Sequence, residues 1–199
     1  MLDEAIGKYG FRVADTQVDS DAAQPRVCAV FNEELVRSGL DYAPYVQLAN
    51  PALTITTEGS QLCVEGVRHG ERYSFTLREG LPAASGEALA RSVDLTLYVR
   101  DRAPALRFVS RAYVLPRMGE VAIPVEAVNL TEADLTLYRV SDRSIIRTIQ
   151  DDLFASPLYA WEEDRFERNI GAEIWSGSAE LPSELNRDVT VRLPMDEAI

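Results

Sequence analysis

Apolar and polar residues alternate along most of this chain. In "RYSFTLR", Tyr73, Phe75 and Leu77 alternate with Arg72, Ser74, Thr76 and Arg78. In "VDLTLYVR", Val93, Leu95, Leu97 and Val99 alternate with Asp94, Thr96, Tyr98 and Arg100. "VAIPVEAV" sets Val121, Ile123, Val125 and Ala127 on one side, and "DVTVRL" does the same with Val189, Val191 and Leu193. A period of two is the mark of strands with one face buried. The runs are short, and clusters holding Gly70, Gly80, Pro82, Gly86, Pro116 and Gly119 separate them, which predicts turns between antiparallel strands. The fold class predicted is all-β: two tandem antiparallel β-sandwich domains, the second with a short inserted helix.

Pro124 interrupts its alternating run, and proline cannot donate to a ladder, so that strand is expected at an edge or at a bulge. The stretch 156–171, SPLYAWEEDRFERNIG, departs from the strand rhythm. Ser156 suits an N-cap, Pro157 a first helical position and Gly171 a stop. Leu158, Trp161, Arg165 and Phe166 follow helical spacing, which predicts an amphipathic helix packing Leu158, Trp161 and Phe166 on a sandwich. A weaker helical pattern covers residues 3–9. A strand ends at "RDRAP", and Pro104 favours extended backbone before it. The expected domains are therefore 1–103 and 104–199.

Hydrophobic residues make up 46% of the chain, enough for two cores. The formal net charge of -12 repels phosphate backbones and anionic lipid, which argues against nucleic-acid partners. No apolar run approaches the ~20 residues a membrane helix needs. The start, MLDEAIGKYG, lacks the basic and apolar regions of a signal peptide. As a whole protein the chain reads as cytoplasmic; as an excised piece its start does not bear on compartment.

The residues offer little chemistry. His69 is the single histidine and lies in an expected turn, where a solvated surface group is the simpler reading than a catalytic base. A serine triad or a His-rich metal site would have to use it. Asp19 and Asp21 resemble a calcium loop but lack its glycine and closing glutamate. The acidic pairs Glu33–Glu34, Asp151–Asp152 and Glu162–Glu163 are sequence neighbours whose side chains diverge. Asn129-Leu130-Thr131 has the form of a glycosylation sequon, with a plain turn residue as the simpler reading. Tyr42, Tyr45, Trp161 and Trp175 suit either a sugar-binding platform or core packing, and core is favoured for Trp175. Cys28 and Cys63 suit either two buried thiols or one disulfide. No catalytic, cofactor-binding or metal residues are predicted, no cofactor, and no enzyme.

Two phrases of the first domain, "RVCAVFNEEL" and "LCVEGVRHGERYSFTLREGLPAASGEAL", resemble bacterial Ig-like domains. The second phrase follows that family's L-x-x-G-x-x-Y run; Asn32 and Glu34 depart from its strand-then-F-S-E-P-L signature. The following "PALRFVSRAYVLPRMG" is similar to the opening of a macroglobulin-like domain in bacterial alpha-2-macroglobulins, and "ELNRDVTVRLPMDEA" fits the same domain near its end. The resemblance covers nearly all of residues 11–199. It implies non-catalytic domains from the N-terminal region of a periplasmic endopeptidase trap, lipid-anchored through a segment outside this fragment. It implies as partners the target endopeptidases, the neighbouring domains of the same chain and a cell-wall synthase. It also implies a Cys28–Cys63 disulfide, because the periplasm is oxidising. The family's thioester motif is Cys-x-Glu-Gln; Cys63-Val64-Glu65-Gly66 lacks its glutamine, so no thioester is expected there. The second domain is expected to stop before its last strand, showing six strands and an open edge inviting dimerisation or swapping. The other reading is an extracytoplasmic binding module for glycan, peptidoglycan or a protein.

Overall fold

The computed structural model describes residues 10–110, 122–154, 156 and 158–195. The chain forms two compact units, and the division falls between Arg102 and Ala103. The helical pattern at 3–9, the turn around Gly119, Val121 and Pro157 lie outside the described residues.

Among its described residues the first unit holds seven strands: β1 (Val13–Asp19), β2 (Arg26–Phe31), β3 (Val46–Leu48), β4 (Thr54–Glu58), β5 (Gln61–Glu65), β6 (Arg72–Leu77) and β7 (Val93–Tyr98). They form two antiparallel sheets, ordered β1-β2-β5-β4 and β3-β6-β7. Inward residues of both sheets, among them Val27, Ala29, Leu62, Val64, Phe75 and Leu77, share one buried cluster. The alternation of β6 and β7 maps onto this geometry: Phe75 and Leu77 are buried, while Ser74, Asp94 and Thr96 face solvent. Tyr42 is buried within the same unit. Its hydroxyl accepts the Val36 N–H at 2.8 Å and donates to the Pro82 carbonyl at 2.9 Å.

The second unit has β8 (Ala105–Phe108), β9 (Ala122–Val128), β10 (Glu132–Val140), β11 (Gly171–Glu180) and β12 (Val189–Pro194). One antiparallel sheet runs β12-β9-β8 and a two-stranded ribbon pairs β10 with β11. Val125, Ala127, Leu181 and Leu193 form its core. These five strands lie among the described residues, and 111–121 falls outside them.

Pro124 does not lie on an edge strand: β9 is the centre of its sheet. Within that sheet Pro124 stands opposite Arg192 of β12, and the described pairing of β9 with β8 runs from Val128 to Val125.

Among the described residues of the second unit, two helices rather than one interrupt the strands: α1 (Asp142–Gln150) and α2 (Ala160–Asn169). Val140 pairs with Gly171, so the stretch 141–170 leaves and re-enters the ribbon at one point. α2 starts after Tyr159, whose N–H donates to the Glu162 carboxylate at 3.0 Å, rather than after Ser156. This bond from a glutamate three residues on selects the start. Phe166 is buried, meeting Tyr138 edge-on at 5.5 Å between ring centroids. Trp161 is 70% exposed and Leu158 39%, contrary to the expected packing. Trp161 and Phe166 are five residues apart, about 140° around a helix axis, so one buried face does not hold both.

Candidate functional site

The candidates that the sequence offers in the first unit are engaged in local structure. His69 is half-buried, with Nε2 2.9 Å from the Ser20 carbonyl; the solvated reading of this side chain does not hold. Asp21 pairs with Arg100, and the Asp21 carbonyl accepts from Arg102 Nε at 2.9 Å. Together these contacts tie the β1–β2 turn to the last residues of the unit. The hydrogen bond to Asp21 raises the Arg100 pKa. Asp19 faces Arg26 at 3.9 Å. No group of three or more metal-capable side chains gathers among the described residues.

Cys28 and Cys63 are directly opposite on β2 and β5, and their sulfurs are bonded. Their neighbours Val27, Ala29, Leu62 and Val64 point into the core, so strand alternation turns both cysteines to the outer face of the sheet. Both are nonetheless buried. The bridge thus joins two strands of one sheet, not the two sheets. Glu65, third in the thioester-like Cys63–Gly66 stretch, accepts from the Thr56 hydroxyl at 2.8 Å, and the Cys63 sulfur is committed to the disulfide.

The acidic pairs split. Glu33 accepts from Ser85 while Glu34 pairs with Arg37 at 3.1 Å. Glu162 caps α2, and Glu163 accepts from the Tyr138 hydroxyl at 3.4 Å. Asp151 joins the helices, facing Arg147 at 3.7 Å and Arg165 at 3.6 Å. Burial first, then the charges of Glu163, Glu167 and Glu173, raise the Tyr138 pKa. Asn129 is a turn residue with φ 51°. Its amide nitrogen donates to Asn186 Oδ1 at 3.2 Å and its Oδ1 accepts the Asn186 N–H at 2.7 Å. The sequon nitrogen thus makes a structural contact between two loops.

The second unit contains an apolar cleft of about 210 Å³ between the β12-β9-β8 sheet and the β10–β11 ribbon. Leu106, Phe108, Val125, Leu137 and Trp175 line it, and its described lining holds no His, Cys, Asp or Glu. Arg107, also at the cleft, reaches Glu126 at 2.7 Å and Asp188 at 3.0 Å, and the Glu126 bond raises the arginine's pKa. The cleft suits apolar matter, with Arg107 and Thr136 as the polar residues of its described lining. Trp175 rests in this cleft, half-buried, with its ring over Gly177. Of the other aromatics, Tyr42 is buried and Tyr45 half-buried in the first unit, while Trp161 stacks on Tyr159 at the start of α2.

Two antiparallel sandwiches, with only short helices between strands among the described residues, define the class: tandem modules of the immunoglobulin-like and macroglobulin kind. Residues 107–199 match the family described as bacterial alpha-2 macroglobulin MG2 domain. Alpha-2-macroglobulin of Xylella fastidiosa strain 9a5c is 32% identical over 99 residues, 50% of this chain and 6% of that protein. Alpha-2-macroglobulin of Escherichia coli strain K12 is 23% identical over 122 residues, 61% of this chain and 7% of that protein. A crystal structure of a Salmonella alpha-2-macroglobulin point mutant is similar with a TM-score of 0.57 at 19% identity, covering 97% of this chain and 12% of that one. The methylamine-reacted Salmonella protein gives 0.56 at 18% identity, covering 96% and 12%; at such identities the likeness concerns the fold. Residues 107–199 belong to the bacterial alpha-2 macroglobulin MG2 domain family, and for the rest of the chain the likeness to these proteins is one of fold. The matched stretch spans less than a tenth of its curated relatives' length.

Proposed function

We propose that this chain is a non-catalytic scaffold region of a bacterial alpha-2-macroglobulin-like endopeptidase trap. The observation that carries the proposal is the MG2 match over 107–199. In this reading the target endopeptidases are met by the longer protein, and these sandwiches hold neighbouring domains in place. Cys63 sits in a disulfide, which leaves its sulfur committed to a structural bond. The periplasm is the proposed compartment, with a lipid anchor on the longer protein, and the Cys28–Cys63 bridge fits an oxidising compartment. A cell-wall synthase is a further proposed partner of that longer protein.

The test is deletion of residues 104–199 from a longer protein carrying this region. Loss of its shielding of a bound endopeptidase, with cleavage by that enzyme retained, is the expected result. Unchanged shielding would remove the scaffold reading. The binding-module reading is favoured by one observation, the exposed Tyr159–Trp161 pair. Retention on insoluble peptidoglycan, lost in Trp161→Ala, would establish it instead.

A further inference from the structure

Among the described residues, the two sheets of the first unit end in four edge strands, β1, β4, β3 and β7. An open ladder edge is a template for another chain, and proteins guard such edges with shortness, bulges or charge. β3 has three residues. β1 carries a register shift between Val13 and Asp15, and two aspartates. β4 has one apolar residue, Ile55. β7 differs from all three: it pairs with β6 over six residues without a register shift, and Asp94 is its one charge. Its inward residues Val93, Leu95 and Leu97 are half-buried against the core, at the side where the described sheet ends. On the outer face, Arg72 of β6 lies over the Tyr98 ring at 5.1 Å from its centroid, and Tyr98 is 46% exposed. That guanidinium makes no ion pair among the described residues.

We propose that β7 pairs antiparallel with β7 of a second copy of this chain, about a two-fold axis at Thr96, so that the β3-β6-β7 sheets of two copies become continuous. Self-complementarity selects this occupant. Opposed residues of paired strands share a face. With the axis at Thr96, Leu95 of each copy opposes Leu97 of the other, which covers the half-buried inner row. On the outer face Asp94 of each copy opposes Tyr98 of the other, the ring that carries the unclaimed Arg72. Asp94 already accepts from the Thr76 hydroxyl at 2.5 Å, and an ionised carboxylate has room for further donors. The same charges fix the register. Moving the axis to Leu95 sets the two Asp94 residues about 7 Å apart along the strands instead of about 14 Å, and takes each away from Tyr98. Opposite charges across strands stabilise a pairing and like charges oppose it. This inference concerns the first unit and does not rest on the trap reading.

The test is sedimentation velocity of the disulfide-bonded chain across a hundredfold concentration range at physiological salt. A reversible monomer–dimer equilibrium is expected. Thr96→Lys, which sets two ammonium groups beside the axis, weakens it at least tenfold. Arg72→Glu also weakens it, and Asp94→Arg in the same chain restores it. Arg72, Asp94 and Thr96 are exposed, and a melting curve for each variant checks that the fold is kept. Cross-linking gives a second readout that needs no charge reversal: under oxygen, Thr96→Cys yields a disulfide-linked dimer on a non-reducing gel. Ser74→Cys, one strand inward on the same face, does not. A strict monomer throughout overturns the proposal. So does a dimer indifferent to both Thr96→Lys and the charge swap, which would place the contact on another surface. Equal cross-linking through Ser74→Cys and Thr96→Cys would mean random collision and equally overturn it.

Discussion

At the scale of single residues, the clearest constraints are places where one atom more or less changes the packing. A Cβ on Gly177 would lie 2.6 Å from the Trp175 ring, and one on Gly171 would lie 2.7 Å from the Phe166 ring. Both are ring contacts inside a packed unit, so Gly177→Ala and Gly171→Ala are each expected to cost about 1–3 kcal/mol. Urea denaturation of the second unit reads the loss, and an unchanged midpoint for both would show that the rings move aside freely. Tyr42→Phe removes a hydroxyl bonded to two backbone groups. The stranded Val36 N–H and Pro82 carbonyl make a loss of about 1–3 kcal/mol the expectation for the first unit. Burial, then the bond to Glu71, raises the Tyr73 pKa above its ordinary 10.0. A raised folded-state pKa gives a stability contribution fully present below the unfolded value and lost as pH climbs through the folded one. The first unit should therefore weaken in alkali above about pH 10, and Tyr73→Phe should reduce that slope.

At the scale of elements, much of the fold is legible in the sequence. Period-two runs at β6, β7 and β12 identify strands and their buried faces, because burying one side of a sheet leaves an alternation on the chain. Pro124 misleads because strand order, which sets β9 at the centre of its described sheet, is a tertiary property that no local pattern states. α1 is hidden in "SIIRTI", which is β-branched and looks strand-like, although Ile145, Ile146 and Ile149 carry the helical spacing. Ser156–Pro157 is a good local signal for the start of α2, but the Glu162 bond to Tyr159 outweighs it. The cysteines are visible in the sequence, but not their cross-strand placement on the outer face, since pairing register is a tertiary property. That placement gives the bridge a role: it fixes the β2–β5 register, where a one-residue slip of one strand would turn either Val27 and Ala29 or Leu62 and Val64 outward. Closing a loop of sequence separation 35 corresponds to about 3–4 kcal/mol in the chain-entropy account. Cys28→Ala with Cys63→Ala should lower the first unit's stability by up to that amount and leave the second unit's melting unchanged. A matching fall in the second unit would mean the two do not unfold independently.

At the scale of the whole molecule, the family match lies in the second unit, the fold likeness extends over the chain, and the trap role is the proposal built on the first of these. The candidate site is legible mainly as weak chemistry. His69, Glu33 and the sequon asparagine each make a structural contact, with partners 49, 52 and 57 residues away, distances that no periodicity reveals. The apolar cleft is not legible, since its lining comes mainly from five strands whose stacking the sequence does not state. The most direct measurement of the scaffold claim is a titration of trypsin and of chymotrypsin with the purified disulfide-bonded chain. It follows cleavage of a large protein substrate and of a small peptide, with a denaturing gel for covalent products. Unchanged rates on both substrates at large molar excess, with no protease adduct, is the predicted result. Inhibition of either protease, or a covalent adduct, would contradict the account by showing that these two sandwiches act on proteases themselves.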